Sequence, residues 1–135
     1  MIIKNQTSSI KLIIAEVFLC LLFISLPANA KWTWYATSAD KSSVHYYEPD
    51  SIKTISNKRR VWTYHDFSDS TTSPGSYKAY EEYDCKDEST IVLQLYSYPE
   101  KGLKGKINII DIPHNNKTYI PPDSIPGLMF SILCK

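Results

Sequence analysis

The stretch Arg60-Val61-Trp62-Thr63-Tyr64-His65-Asp66 predicts a β-strand that is apolar on both sides. Successive side chains of a strand point to opposite faces of its sheet, so Trp62 and Tyr64 share one face while Val61 and Thr63 share the other. Aromatic and β-branched residues favour the extended backbone of a sheet. We therefore expect residues 60–66 to form a strand with apolar groups on both faces.

On either side of this strand, turn-forming clusters divide the chain into further short pieces that predict strands. These pieces are Trp32 to Thr37, Ser43 to Tyr47, Thr90 to Tyr98 and Lys106 to Ile112. The connections between them include Ser38-Ala39-Asp40, Glu48-Pro49-Asp50-Ser51, Ser68 to Ser76 and Gly102-Leu103-Lys104-Gly105. Because these connections are too short to hold crossover helices, we expect an antiparallel sheet.

The segment Tyr77 to Lys86 fits two patterns. Its tyrosines recur at three-residue spacing, as on one side of a helix, whereas Tyr77, Ala79 and Cys85 would share one face of a strand. The neighbouring turns and the tyrosine content favour the strand. The predicted sheet then has about six strands.

The end of the chain, Ile125 to Cys134, predicts an α-helix. Pro121-Pro122-Asp123-Ser124 breaks the preceding structure and supplies a serine able to cap the helix. Apolar residues such as Met129 and Leu133 lie one turn apart. A helix of ten residues is shorter than the roughly 12 to 15 at which isolated helices become marginal in water, so this one must dock on the sheet.

Residues 1–30 predict a secretory signal peptide. A polar start with two lysines precedes the apolar run Val17 to Leu26, and Ala28-Asn29-Ala30 is a small-x-small pattern of the kind that signal peptidase cleaves. A retained membrane anchor is the alternative, but a helix needs about 20 apolar residues to cross a bilayer. We expect an exported protein without a membrane span, whose mature part is one domain, residues 31–135.

Export determines whether the cysteines are expected to form a disulfide. Cys20 lies in the predicted signal peptide, where Val17-Phe18-Leu19 lacks the small residues expected before an acylated lipoprotein cysteine. In an oxidising compartment, Cys85 and Cys134 are expected to pair as a disulfide rather than to form a metal site or a redox pair. This bond would fasten the helix to the Tyr77 strand, and the chain-entropy model assigns it roughly 4 kcal/mol.

Composition and motifs narrow the function classes. The mature part holds 13 basic and 13 acidic residues, without the basic excess of nucleic-acid-binding proteins. Three histidines, His45, His65 and His114, occur without a Gly-x-Ser-x-Gly motif or paired metal-ligand spacing. His65 and Asp66 would point to opposite faces of their strand. We expect no enzyme and no metal site, with His45 and His65 half-exposed on strands.

One charged patch is a candidate protein-binding site. Lys58, Arg59 and Arg60 stand beside Trp62 and Tyr64, and arginine next to aromatic residues is typical of contact hot spots. The alternative is a solvated turn whose charges protect a strand edge. Ten tyrosines and three tryptophans, all in the mature part, are residues that make good contact surfaces.

Five motifs follow one another along almost the whole mature part. They are Tyr46-Tyr47-Glu48-Pro49-Asp50-Ser51-Ile52, Val61-Trp62 with Asp66, Tyr77-Lys78 leading to Tyr83-Asp84-Cys85, Gly102-x-x-Gly105, and Pro122-x-Ser124 leading to Leu133-Cys134. In this order, and with the paired cysteines, they resemble the surface-adhesin protein E family. The resemblance implies a single antiparallel sheet of about six strands, with a C-terminal helix packed on one face and fixed by the disulfide, an α+β fold.

The resemblance also implies partners. The best-known member of the family is an envelope adhesin of Gram-negative bacteria that recruits host matrix and serum proteins such as vitronectin and laminin, forms dimers and has been linked to haem. This chain departs from it at Ser70-Thr71-Thr72-Ser73-Pro74, where that member uses a basic loop.

Two hypotheses follow. The first is an exported, non-catalytic envelope protein, located in the periplasm, on the outer-membrane surface or outside the cell, that binds host proteins or itself through its sheet. The second is a periplasmic module that binds a small ligand or haem between sheet and helix. A cavity of several hundred cubic ångströms lined by aromatic residues would favour the second, and an exposed aromatic patch would favour the first.

Overall fold

The computed structural model describes residues 30–69 and 74–135, so the predicted signal peptide and Cys20 lie outside the described residues, apart from Ala30. Within these residues, eight strands and one α-helix follow in order: β1 Thr33–Thr37, β2 Ser43–Tyr47, β3 Lys53–Ile55, β4 Lys58–Phe67, β5 Ser76–Asp84, β6 Ser89–Tyr98, β7 Asn108–Ile110, β8 Thr118–Tyr119 and α1 Ile125–Leu133. A short 3₁₀ turn, Pro49–Ser51, lies between β2 and β3.

The strands form one antiparallel sheet with six main strands in the order β1-β2-β4-β5-β6-β7. β3 pairs with β4, and β8 pairs with β6. The predicted fold class, an antiparallel sheet of about six strands with a C-terminal helix, is confirmed. β3 and β8 were not predicted, because strands of three and two residues leave little pattern in the sequence.

The ambiguous Tyr77 segment is the strand β5, which lies between β4 and β6 in the middle of the sheet. Nine residue pairs join it to β4, from Lys58 opposite Asp84 to Asp66 opposite Ser76. The strand prediction is therefore confirmed. β7 is shorter than predicted, because only Asn108–Ile110 pairs with β6.

The core lies on one side of the sheet, which we call the helix face. Val61 of β4 and Tyr83 of β5 pack there against Met129 and Leu133 of α1, and all four side chains are buried. Val61 and Met129 are 0% exposed. The helix thus covers the face that Val61 shares with Thr63, and leaves Trp62 and Tyr64 on the other face.

The helix begins at Ile125 as predicted and ends at Leu133, one residue before the predicted end. The Oγ of Ser124 accepts a hydrogen bond from the backbone N–H of Gly127 at 3.1 Å, which caps the first turn. Cys134 follows the last helical residue and forms a disulfide with Cys85, just beyond β5, with 5.4 Å between their Cα atoms. The predicted disulfide is confirmed, and it holds α1 to the middle of the sheet.

Candidate functional site

Aromatic side chains line up across the face opposite the helix. The strand register brings one residue from each main strand into a single row, because residues paired across antiparallel strands point to the same face. The row is Trp34, Tyr46, Tyr64, Lys78, Tyr96 and Ile109. With Trp32, Trp62 and Tyr80 beside it, this row forms what we call the aromatic face.

The aromatic rings stack on one another from strand to strand. The ring centroids of Tyr46 and Tyr64 lie 5.0 Å apart with 14° between the planes. Those of Trp62 and Tyr80 lie 4.8 Å apart with 25° between the planes. Each contact of this kind adds about 0.5 to 1.5 kcal/mol beyond the buried area, so the rings hold each other in fixed positions.

Exposure is highest at the two ends of the row. Trp34 on the edge strand β1 is 59% exposed, and Ile109 on the edge strand β7 is 71% exposed. Between them, Tyr46, Trp62, Tyr80 and Tyr96 are half-buried. Tyr64, near the centre of the row, is only 7% exposed. The exposed apolar side chains therefore lie at the two ends of the row, and exposed apolar groups of this size are characteristic of interaction sites.

Lys78 stands in the middle of the aromatic face. Its Nζ lies 4.6 Å from the ring centroid of Trp62 and 5.7 Å from that of Trp32. These are cation–π distances. Among residues 30–69 and 74–135, the ion pairs of the protein involve other cations and leave Lys78 without a carboxylate partner.

The basic patch predicted from the sequence is divided by the sheet. Lys58, Arg60, Trp62 and Tyr64 point to the aromatic face, whereas Arg59 points to the helix face. The Nη1 of Arg59 donates to the backbone oxygens of Ser56 at 3.1 Å and Lys58 at 3.0 Å. The structure therefore brings together four of the five predicted binding residues.

A buried carboxylate engages the two cations of this patch. Glu82, only 4% exposed, lies 2.8 Å from the Nζ of Lys58 and 2.6 Å from the Nε of Arg60. Burial opposes the charged form of Glu82, but the hydrogen bonds from the two cations hold its pKa below the usual range. The positive charges of Lys58 and Arg60 are thus partly balanced by the carboxylate of Glu82.

The connection between β6 and β7 is rich in lysine and lies at the end of β4 and β5 that is away from Lys58. The backbone N–H of Gly102 donates to Oδ1 of Asp66 at 2.8 Å, and that of Leu103 donates to Oγ of Ser76 at 3.2 Å. These bonds hold the connection between β6 and β7 against the sheet. Three exposed lysines lie on it or just after it: Lys101, Lys104 and Lys106.

Two histidines lie together on the helix face. The rings of His45 and His65 have centroids 4.5 Å apart, and the Oγ of Ser43 lies 2.8 Å from Nε2 of His45. His45 is 7% exposed, so the prediction that it would be half-exposed is wrong: the sheet face that carries it is covered. Burial and the nearby His45 lower the pKa of His65 to about 4.

This histidine pair does not form a catalytic arrangement. A serine and a histidine in contact suggest a nucleophile and its base, but Ser43 and His45 are both buried. Nδ1 of His45, where an orienting carboxylate would bind, has no hydrogen-bond partner within the described part of the chain.

On the same face of the sheet, burial raises the pKa of Glu81 to about 6. The hydrogen bond that the hydroxyl of Tyr83 donates to Glu81 at 3.1 Å acts against this rise.

A cavity of about 520 Å³ lies beside the first turn of α1. Phe130 is its only aromatic lining residue; the others are Glu88, Ile120, Pro121, Pro122, Asp123, Ser124, Gly127, Leu128 and Ser131. The rings of the aromatic face therefore take no part in lining this cavity. Within the same part of the chain, no group of three or more histidine, cysteine, aspartate or glutamate residues could hold a metal ion.

Sequence reasoning found Trp62 and Tyr64 but missed the rest of the aromatic face. Lys78, Tyr80 and Tyr96 lie on strands that were predicted, and their alternation was visible in the sequence. Their alignment with Trp62 depends on which strands pair and in what register, which the sequence does not specify.

No helix of residues 30–69 and 74–135 is long and apolar enough to cross a bilayer.

The chain matches the family model for surface-adhesin protein E over residues 32–135. No curated protein matches it. Crystal form II of Haemophilus influenzae protein E shares its fold, with a TM-score of 0.58 and 12% identity over 82% of this chain and 94% of that chain. The selenomethionine form of the same protein gives a TM-score of 0.54 and 13% identity over 82% and 92%. Protein E from non-typeable Haemophilus influenzae gives 0.53 and 11% over 82% and 81%. The fold and a family model that matches residues 32–135 agree: the chain belongs to the surface-adhesin protein E family.

Proposed function

We propose that this protein is an exported, non-catalytic adhesin-like protein of the bacterial cell surface, and that it binds other proteins through the aromatic face. Membership of a surface-adhesin family supports a protein-binding role at the cell surface. The partners we propose are host extracellular-matrix or serum proteins, in line with the resemblance stated from the sequence.

One structural observation supports the aromatic face as the protein-binding surface. The disulfide-linked helix covers one face of the sheet with the apolar core, while the opposite face presents a row of large side chains from β1 to β7. Tryptophan and tyrosine are the residues most enriched at the energetic centres of protein interfaces. Their mutual stacking fixes the rings before binding, which lowers the entropy lost when a partner docks.

Binding to immobilised matrix and serum proteins tests the proposal. The variant Trp62→Ala removes the ring that contacts both Tyr80 and Tyr96. A hot-spot tryptophan should cost more than about 2 kcal/mol of binding free energy. Leu128→Ala is the control, since Leu128 is 51% exposed on α1, on the other side of the sheet. Equal binding by Trp62→Ala, Leu128→Ala and the unmodified protein would refute the role of this face.

Export is tested separately. We propose cleavage after Ala30, which leaves residues 31–135 as the working protein. Intact-mass analysis of material from the native host should give the mass of residues 31–135 with a disulfide. Protease treatment of intact cells should digest the mature chain if it reaches the outer surface. Protection from protease would restrict the protein to the periplasm and remove the adhesin role.

The cavity beside α1 supports a second candidate, a small-ligand module. Its volume of about 520 Å³ lies within the range of ligand pockets, roughly 300 to 1,000 Å³. Haem is a poor fit, because the lining residues include no histidine, tyrosine, cysteine or methionine to bind the iron. A haem titration that produces a sharp Soret band would contradict this assignment.

A further inference from the structure

The aromatic rings cover one another's flat sides within the aromatic face. The ring centroids of Trp62 and Tyr80 lie 4.8 Å apart, and those of Tyr46 and Tyr64 lie 5.0 Å apart. The ring of Trp62 also lies 6.1 Å from that of Tyr96, two strands away, and Nζ of Lys78 lies 4.6 Å from the Trp62 centroid. Flat sides that are covered in this way are not open to a partner.

Such a surface favours negative charge. The edge of an aromatic ring carries positive partial charge, and its flat side carries negative partial charge. The tyrosine hydroxyls on either side of Lys78 are engaged within the protein: that of Tyr96 donates to Oε1 of Gln94 at 3.1 Å, and that of Tyr64 donates to Asp66. At the centre of the same row stands the ammonium group of Lys78, beside Tyr64 and Tyr96 in the strand register.

The carboxylates of this face are already engaged within the protein. Glu82 pairs with Lys58 and Arg60, and Asp66 accepts the backbone N–H of Gly102. Oδ1 of Asp84 accepts hydrogen bonds in the turn that follows β5. In the described part of the chain, Lys78 and the exposed Lys101, Lys104 and Lys106 take part in no ion pair. Nζ of Lys101 donates to the backbone oxygen of Ser68 at 2.9 Å.

We propose that the partner segment bound by the aromatic face is acidic and extended, with its carboxylates directed at Lys78 and at the exposed lysines that follow β6. This inference rests on the proposed function, because it names the chemistry of the partner for the same surface. The row from Trp34 to Ile109 crosses six strands, a distance of about 24 Å that about seven residues of extended chain would span.

A neutral glycan fits this surface less well. Sugar rings, like nucleic-acid bases, bind aromatic residues by lying on an open ring face, and here the neighbouring rings occupy those faces. A sulfated glycan could still bind through the lysines. It is therefore included in the test as a competing outcome.

The test uses the full chain, expressed with its own leader and purified with the disulfide formed. Two fluorescent ten-residue peptides carry either glutamate or lysine at alternate positions, with tyrosine between them, and binding is measured by fluorescence anisotropy. The acidic peptide should bind and the basic one should not. Lys78→Glu should weaken binding of the acidic peptide about tenfold, while Lys78→Arg should retain it.

Lys86→Glu is the matched control for charge, since Lys86 is exposed in the turn between β5 and β6 and should bind as the unmodified protein does. Circular dichroism verifies that each variant is folded, and Lys78→Gln tests charge loss without reversal. The inference is overturned if the acidic peptide does not bind at 1 mM in about physiological salt. It is also overturned if the Lys78→Glu variant binds the acidic peptide as well as the Lys86→Glu variant does. Binding of heparin through Lys78 without binding of the acidic peptide would overturn it as well. Binding to matrix proteins that is lost in Trp62→Ala but kept in Lys78→Glu would leave the proposed function standing and refute only the acidic partner.

Discussion

Replacing Cys134 by serine should lower the free energy of unfolding by about 4 kcal/mol. The bond from Cys85 closes a loop with a sequence separation of 49 residues, and the chain-entropy model assigns roughly that value to a loop of this length. A domain of about this size has an unfolding entropy near 0.2 kcal/mol/K, so Tm should fall by roughly 15 to 20 °C.

The structure suggests why α1 depends on this bond. α1 has nine residues, too few to persist in water without its contacts to the sheet. Thermal and urea unfolding of the oxidised protein and of Cys134→Ser measure the loss. Cys85→Ser and the double variant are the controls, because all three remove one bond and should lose the same stability. A Tm within about 5 °C of the unmodified protein, or additive losses in the double variant, would refute the reasoning.

Three further predictions concern the core, a tight turn and pH. Met129→Ala should cost about 2 to 5 kcal/mol in urea unfolding, because Met129 is 0% exposed, whereas Leu128→Ala, at a position 51% exposed, should change little. Gly75→Ala should lower Tm, because an added Cβ would lie 2.6 Å from the backbone carbonyl carbon of Glu100, and an unchanged Tm would mean that this connection can shift freely. As pH falls from 6.5 toward 4, the unfolded state gains the proton that His65, with its pKa lowered to about 4, does not accept in the folded protein. The unmodified protein should therefore lose stability over this interval, and His65→Phe should lose less. Parallel curves of Tm against pH would contradict this.

The elements of the fold could be predicted where their signals are local. Alternation marked β4, turn residues separated the other long strands, and a capping serine with a dense apolar run marked α1. Export and two remaining cysteines were enough to predict the disulfide between Cys85 and Cys134. The short strands β3 and β8 could not be predicted, because they are strands only through their pairing with β4 and β6.

The candidate site could be predicted only in part. Lys58, Arg59 and Arg60 are adjacent in sequence, yet alternation turns Arg59 to the helix face, and Glu82 from the neighbouring strand engages the other two. The prediction that His45 would be half-exposed failed for a related reason: its burial depends on what packs over its sheet face.

The sequence by itself determined the six main strands, where the helix starts, which cysteines pair and to which family the chain belongs, because each depends on residue types and their order along the chain. The tertiary structure alone decided that Tyr46, Tyr64, Lys78 and Tyr96 form one row. Shifting the register of a strand by one residue would turn every one of its side chains to the opposite face. The binding surface therefore depends on strand pairing over long sequence distances, which no local pattern specifies.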